Sequence, residues 1–234
     1  MQEQAVVKPM RLWQSLLFFL IPGLYGVFAQ YALWPALVRL GLSEENAWTT
    51  AHLTIFLALL AATIVALRAE GWPLRWASIA ERLRLKRLDA RAWLWTLGFL
   101  VLFLLAGLGL NTAGMYVYER LGFWPPDADL ALTNIPYAVL FLLLNVLAEE
   151  LWWRGYVLPR QERAHARYAW IVNGALWPLF HIWKWWAVPL MLLKEWMIPF
   201  VAQRTQSTTP ALVIHFVSNG ASVLLSLLPL LTGL

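Results

Sequence analysis

Leu147 to Arg160 reads LAEELWWRGYVLPR, so Glu149, Glu150 and Arg154 sit where an apolar helix is ending. Two further stretches carry chemistry-bearing side chains. ALWPLFHIW holds His181 just after Pro178, and LVIHFVSNG holds His215 four residues before Asn219. Glu150 and Arg154 are one helical turn apart and can pair. Glu149 points about 100° away from Glu150 and has no cation on its own face. His215 and Asn219 share a face by the same spacing. A carboxylate with an imidazole can hold and deprotonate a water. A second imidazole with a carboxamide can donate hydrogen bonds to a developing oxyanion. Glu149, His181 and His215 are also zinc-ligand types, and a single zinc with an open position would serve the same end. Both routes lead to hydrolysis of an amide or ester. The chain has no cysteine, no H-E-x-x-H and no G-x-S-x-G, which removes thiol, zincin and serine-elbow chemistry. Each histidine taken alone reads as an ordinary core residue. Ionisable groups inside a membrane segment, taken together, are a functional hypothesis by default.

These residues must be positioned by elements that the composition describes well. The 234 residues are 61% hydrophobic and only 13% charged, against about 25% charge in soluble domains. About 20 apolar residues cross a bilayer as a helix. Seven such spans are expected, at about 12–38, 48–67, 92–117, 133–154, 168–186, 187–203 and 211–232. The fold class is therefore an all-α polytopic membrane helix bundle. It is a single membrane domain over 1–234, with residues 1–131 forming the N-terminal spans and 132–232 holding the motifs. The first apolar segment is too long for a signal-peptide core, and Pro22-Gly23 predicts a kink within it. The sixth span is the least regular, because it contains Pro189, Lys194, Glu195 and Pro199. Lys194 is either partnered inside the bundle or set to meet a substrate carboxylate.

At the span ends and in the connections, Arg39, Arg120 and Lys184 lie on one side, against a large excess of Lys and Arg on the side of the N-terminus and segment 68–91. The positive-inside rule then places the N-terminus in the cytoplasm of a multi-pass cell-membrane protein. This sidedness also explains the net charge of +5 without nucleic acid. Trp13, Trp34, Trp48, Trp93, Trp95, Trp170, Trp183, Trp185 and Trp186 fall near span ends, as an interfacial belt requires. Within 68–91, Trp76, Ile79, Leu83 and Leu88 recur near helical spacing among arginines, which predicts a short basic helix on the inner leaflet. His52 and His165 read as interfacial surface residues. Depth along the spans raises one conflict. At 1.5 Å per residue, Glu149 lies roughly 8–12 Å from the inner face and His215 with Asn219 about 6–14 Å, but His181 comes out at about 15–20 Å.

The three motifs resemble those of the CAAX-protease and bacteriocin-processing family of intramembrane endopeptidases. E-E-x-x-x-R appears as Glu149-Glu150-Leu151-Trp152-Trp153-Arg154. F-x-x-x-H appears as Trp177-Pro178-Leu179-Phe180-His181, with tryptophan replacing phenylalanine, and H-x-x-x-N/D as His215-Phe216-Val217-Ser218-Asn219. The resemblance implies an endopeptidase acting near the cytoplasmic face on a peptide or protein substrate, possibly a lipidated one. It implies that Glu149 and His181 activate water, that His215 and Asn219 steady the oxyanion, and that Glu150 and Arg154 support them. Trp177 and Trp153 are expected to line the substrate cavity. The cofactor is none or a single zinc, held in the second case by Glu149, His181 and His215. The alternative is a non-catalytic scaffold or immunity protein that binds a peptide in the same cavity.

Overall fold

In the computed structural model, residues 7–125 and 133–232 are described. The boundary expected near residue 131 lies outside them. The chain forms an all-α membrane bundle, and among the described residues four helical stretches are long and apolar enough to cross a bilayer: Leu12–Arg39, Glu44–Ala69, Ala90–Leu121 and Ile135–Phe180. The first comprises α1 (Leu12–Phe28), a widened turn at Ala29–Leu33 and α2 (Trp34–Arg39). The helix runs through Pro22 without interruption, so the irregularity expected at Pro22-Gly23 falls instead just ahead of Pro35. Next come α3 (Glu44–Ala69), capped by the Ser43 hydroxyl, and the short α4 (Trp76–Arg82). The long α5 (Ala90–Leu121) starts at the Asp89 carboxylate, which accepts from the Ala92 N–H, and ends at the left-handed Gly122.

The motif half departs from simple spans. α6 (Ile135–Glu150) does not stop at residue 154. It continues through a widened π-type segment, Leu151–Val157, into α7 (Leu158–His165). A tight turn at 166–168 then reverses the chain into α8 (Ala169–Phe180). The expected fifth span is therefore a short helix of 12 residues ending at His181. The expected sixth span is broken at Glu195 into α9 (Val188–Lys194) and α10 (Met197–Thr205). α11 (Thr209–Thr232) closes the bundle.

This arrangement resolves the depth conflict. From Glu149 the chain descends to His165 over 16 residues, about 24 Å, and α8 climbs back to His181 over 12 residues, about 18 Å. Glu149 is further from the inner end than an end at residue 154 implies, and His181 returns to nearly its level.

Packing follows from where side chains are missing. α1 lies against α8 and α3 against α6. A Cβ on Gly23 would sit 2.3 Å from the Leu179 carbonyl oxygen, and one on Gly26 would sit 2.4 Å from Trp183. The two glycines therefore let α1 approach backbone to backbone. Phe19, one turn before Gly23, stacks on Trp153 with ring centroids 4.2 Å apart. His52 is fully buried, which corrects its reading as a surface residue. Its Nδ1 donates to the Trp48 carbonyl at 2.8 Å, and Trp48 and Trp183 flank its ring. Those two tryptophans and Trp186 are thus buried and not part of a belt, while Trp13, Trp93 and Trp185 are exposed in keeping with one. His165 is half-buried at the end of α7.

The basic segment is helical over Trp76–Arg82, with Trp76 outermost and Arg82 and Leu83 buried against the bundle. Glu70 accepts from Arg82 at 2.8 Å and from Arg160 at 3.0 Å, tying α3, α4 and α7 together. Pro159 has no N–H to offer the Gly155 carbonyl four residues back. The Arg82 guanidinium supplies that donor at 3.2 Å. Thr208 donates its hydroxyl to the Leu83 carbonyl at 2.7 Å and its N–H to the Arg84 carbonyl at 3.0 Å, which anchors the start of α11.

Gly23→Ala is expected to force α1 from α8 and destabilise the protein by about 1–3 kcal/mol. The control Gly109→Ala, where a Cβ meets nothing within 4 Å, should not lower the melting temperature in detergent.

Candidate active site

The helix that carries Glu149 and Glu150 buries both completely. Two adjacent carboxylates away from water are tolerated only if each finds donors. Glu150 Oε1 takes Arg154 at 3.0 Å along its own helix and His215 Nδ1 at 2.7 Å from α11. Glu149 points the other way, as the helical spacing requires. Its Oε1 accepts from Asn145 Nδ2 at 2.6 Å and its Oε2 from the Trp177 indole at 3.1 Å. His181 Nε2 stands 4.0 Å from Glu149 Oε1. Asn219 Nδ2 donates to Asn145 Oδ1 at 2.7 Å and lies 3.0 Å from His215 Nε2.

The bonds form one continuous chain. Arg154 and the His215 Nδ1–H donate to Glu150, which leaves His215 Nε2 as the acceptor for Asn219. Asn219 in turn donates to Asn145, and Asn145 donates to Glu149, whose second oxygen is held by Trp177. All six residues expected at the site, Glu149, Glu150, Arg154, His181, His215 and Asn219, are brought together by α6, the π-type segment, α8 and α11. The widening at Leu151–Val157 immediately follows the acids; insertions of this kind re-aim side chains and recur at functional sites.

Trp177 lies at the centre: its indole holds Glu149, its ring centroid is 4.1 Å from that of His181, and the Arg154 guanidinium sits 5.5 Å from its centroid. The replacement of phenylalanine by tryptophan therefore adds a hydrogen-bond donor to the carboxylate, beyond any change of shape. Trp153 is displaced from the expected role. It is fully buried between Phe19 and Phe180, in the core and not on a cavity wall. Lys194 pairs with the buried Glu195 and lies 3.9 Å from the Phe103 ring centroid, so its charge is answered inside the bundle.

Asn145 escaped the sequence reading. It sits one turn before Glu149, on the same face, and that i, i+4 spacing was the available signal. Asn173, also buried, donates to the Trp153 carbonyl and to Gln161, and so pins α8 to the π-type segment and α7. The donor set as arranged does not fit a metal. Both Glu149 oxygens and both His215 nitrogens are already engaged in hydrogen bonds, and among the described residues no group of three ligand-type side chains is placed to hold an ion.

Residues 131–221 match the family model described as type II CAAX prenyl endopeptidase Rce1-like. The match covers the stretch that holds all three motifs and bears out their resemblance to the CAAX-protease family. No curated protein and no solved structure matches the chain.

Arg154→Ala leaves Glu150 without its ion-pair partner in the interior, and a loss of about 3–5 kcal/mol is expected. Arg163→Ala, on the exposed face of α7, should stay within about 0.5 kcal/mol of the parent. Thermal melts of both variants in one detergent check the contrast.

Proposed function

We propose that this chain is an intramembrane endopeptidase that hydrolyses a peptide bond near the cytoplasmic face of the cell membrane. The observation that carries the reading is the 4.0 Å separation of Glu149 Oε1 and His181 Nε2. That is too long for a direct hydrogen bond and within reach of a single bridging water. The similarity of residues 131–221 to CAAX prenyl endopeptidases supports the same reaction class.

In this reading Glu149 takes a proton from the water as its oxygen adds to the scissile carbonyl carbon. The carbonyl electron pair moves onto oxygen and gives a tetrahedral oxyanion. The oxyanion draws an Asn219 amide proton away from Asn145 or His215. Glu149 then returns its proton to the leaving nitrogen as the C–N bond breaks. His181 orients the water. Glu150 fixes the His215 tautomer, with Arg154 balancing its charge. Asn145 is a positioning residue that joins the base to the oxyanion donor. A peptide or a lipidated protein end suits an apolar bundle with this buried polar centre. The cation asymmetry supports an N-terminus in the cytoplasm.

A binding-only reading is favoured by one observation: Asn219 Nδ2 is engaged at both of its protons within the network, as a site built to hold a peptide uncut would also allow. The test is incubation of the protein in liposomes with lipidated and unlipidated peptides, read by mass spectrometry. Glu149→Ala and His181→Ala are each expected to lower cleavage by about 10²–10⁴-fold while remaining folded in detergent. Asn145→Ala should lower kcat by about 10²-fold with little change in KM, since it misplaces the base and leaves binding contacts intact. Peptide bound by the parent and recovered whole would leave the binding-only reading standing.

A further inference from the structure

Away from the buried acids, two openings on the bundle surface share a wall at the start of α5. One is a polar pocket of about 200 Å³ between the start of α5 and the end of α10, lined by Asp89, Arg91, Trp95, Arg204 and Thr205. The other is an apolar groove of about 390 Å³ that runs along α5 from Arg91 and Trp95 past Gly98 to Leu102. Arg91 and Trp95 line both, so the cationic opening passes directly into the apolar one.

The charge in the pocket is unbalanced. Its one carboxylate, Asp89, already accepts the Ala92 N–H at 2.7 Å. Neither Arg91 nor Arg204 forms an ion pair with a described residue, and the Arg204 guanidinium is held over the Trp95 ring at 5.5 Å. The groove exists because Gly98 is exposed and bare: a Cβ there would meet nothing within 4 Å. From Arg91 to Leu102 the helix rises roughly 16 Å, about half the hydrocarbon thickness of a bilayer and hence one leaflet. Both ends that form the pocket lie on the cation-rich side of the protein.

We propose that this paired opening binds one anionic phospholipid. The phosphate sits between the Arg91 and Arg204 guanidiniums, whose planar forks suit phosphate oxygens. Trp95 packs on the interfacial region, and one acyl chain lies in the groove over Gly98. A free anion would use only the pocket, and a zwitterionic headgroup would bring its ammonium towards two cations. α5 and α10 both pack against α11 and against each other. The lipid therefore braces the two helices that flank the one carrying His215. This site stands independently of whether the chain cleaves peptides.

The test is native mass spectrometry of the full chain extracted from nanodiscs of equal phosphatidylglycerol and phosphatidylcholine. The parent is expected to retain one phosphatidylglycerol with about 30-fold preference (~2 kcal/mol for two basic residues at an anionic surface). The double variant Arg91→Gln/Arg204→Gln should lose that preference while melting like the parent in pure phosphatidylcholine. Gly98→Leu should lower retention with both arginines in place. Equal retention of the two lipids by the parent, or undiminished preference in the double variant, overturns the site. Unchanged retention in Gly98→Leu overturns the acyl-chain assignment. Inorganic phosphate raising the melting temperature as much as phosphatidylglycerol overturns the choice of a lipid over a free anion.

Discussion

Two neighbouring carboxylates in a water-poor interior repel each other and forfeit their hydration, and the rest of this bundle is arranged around making that tolerable. A single helix cannot do it. Adjacent residues diverge by about 100°, so Glu149 and Glu150 need separate sets of donors from separate directions. Arg154 and His215 serve one, and Asn145 and Trp177 serve the other. Meeting these demands takes side chains from α8 and α11 as well as from α6, and it gathers an imidazole, an amide and an indole around the acids. What satisfies the buried charge also supplies the side chains that the proposed reaction uses.

The basic segment is part of this framework. Glu70 gathers Arg82 and Arg160, Arg84 pairs with Glu162, and Thr208 is bonded to the backbone of Leu83 and Arg84. The start of α11 is thereby registered against α7, and His215 is delivered to Glu150 about two turns further on. Arg82 also satisfies the carbonyl that Pro159 leaves bare, so a residue from a surface segment completes the helix that bears the acids.

Much of this was legible from residue types and spacing. The all-α membrane architecture follows from apolar run length, and the pairing of Glu150 with Arg154 and the divergence of Glu149 follow from helical geometry. The six polar residues expected to converge do converge. Span ends were less legible. Apolar content cannot distinguish a helix that ends at Arg154 from one that widens, passes Pro159 and turns at residue 166, because nothing in composition marks a π-type insertion. The break at Glu195 is the reverse case, since its charges and prolines did flag irregularity. Trp153 misled because two tryptophans side by side on a helix face different neighbours, and only packing reveals that Phe19 and Phe180 claim one of them. Asn145 was hidden by its ordinariness: one amide in an apolar helix has no meaning until Asn219 and Glu149 appear on either side of it.

The descending and returning legs that separate Glu149 from His181 behave like the two scales of a vernier. Each residue in either leg is worth about 1.5 Å of travel and 100° of rotation, and the reversal at Ala166, with a φ of 49°, locks one against the other. Substitution at the exposed positions of these legs, such as Arg163 and Tyr168, is cheap. Drift by insertion or deletion is not, because a single step would carry the imidazole out of reach and swing it towards lipid. The length of this excursion is therefore constrained as tightly as the buried side chains along it.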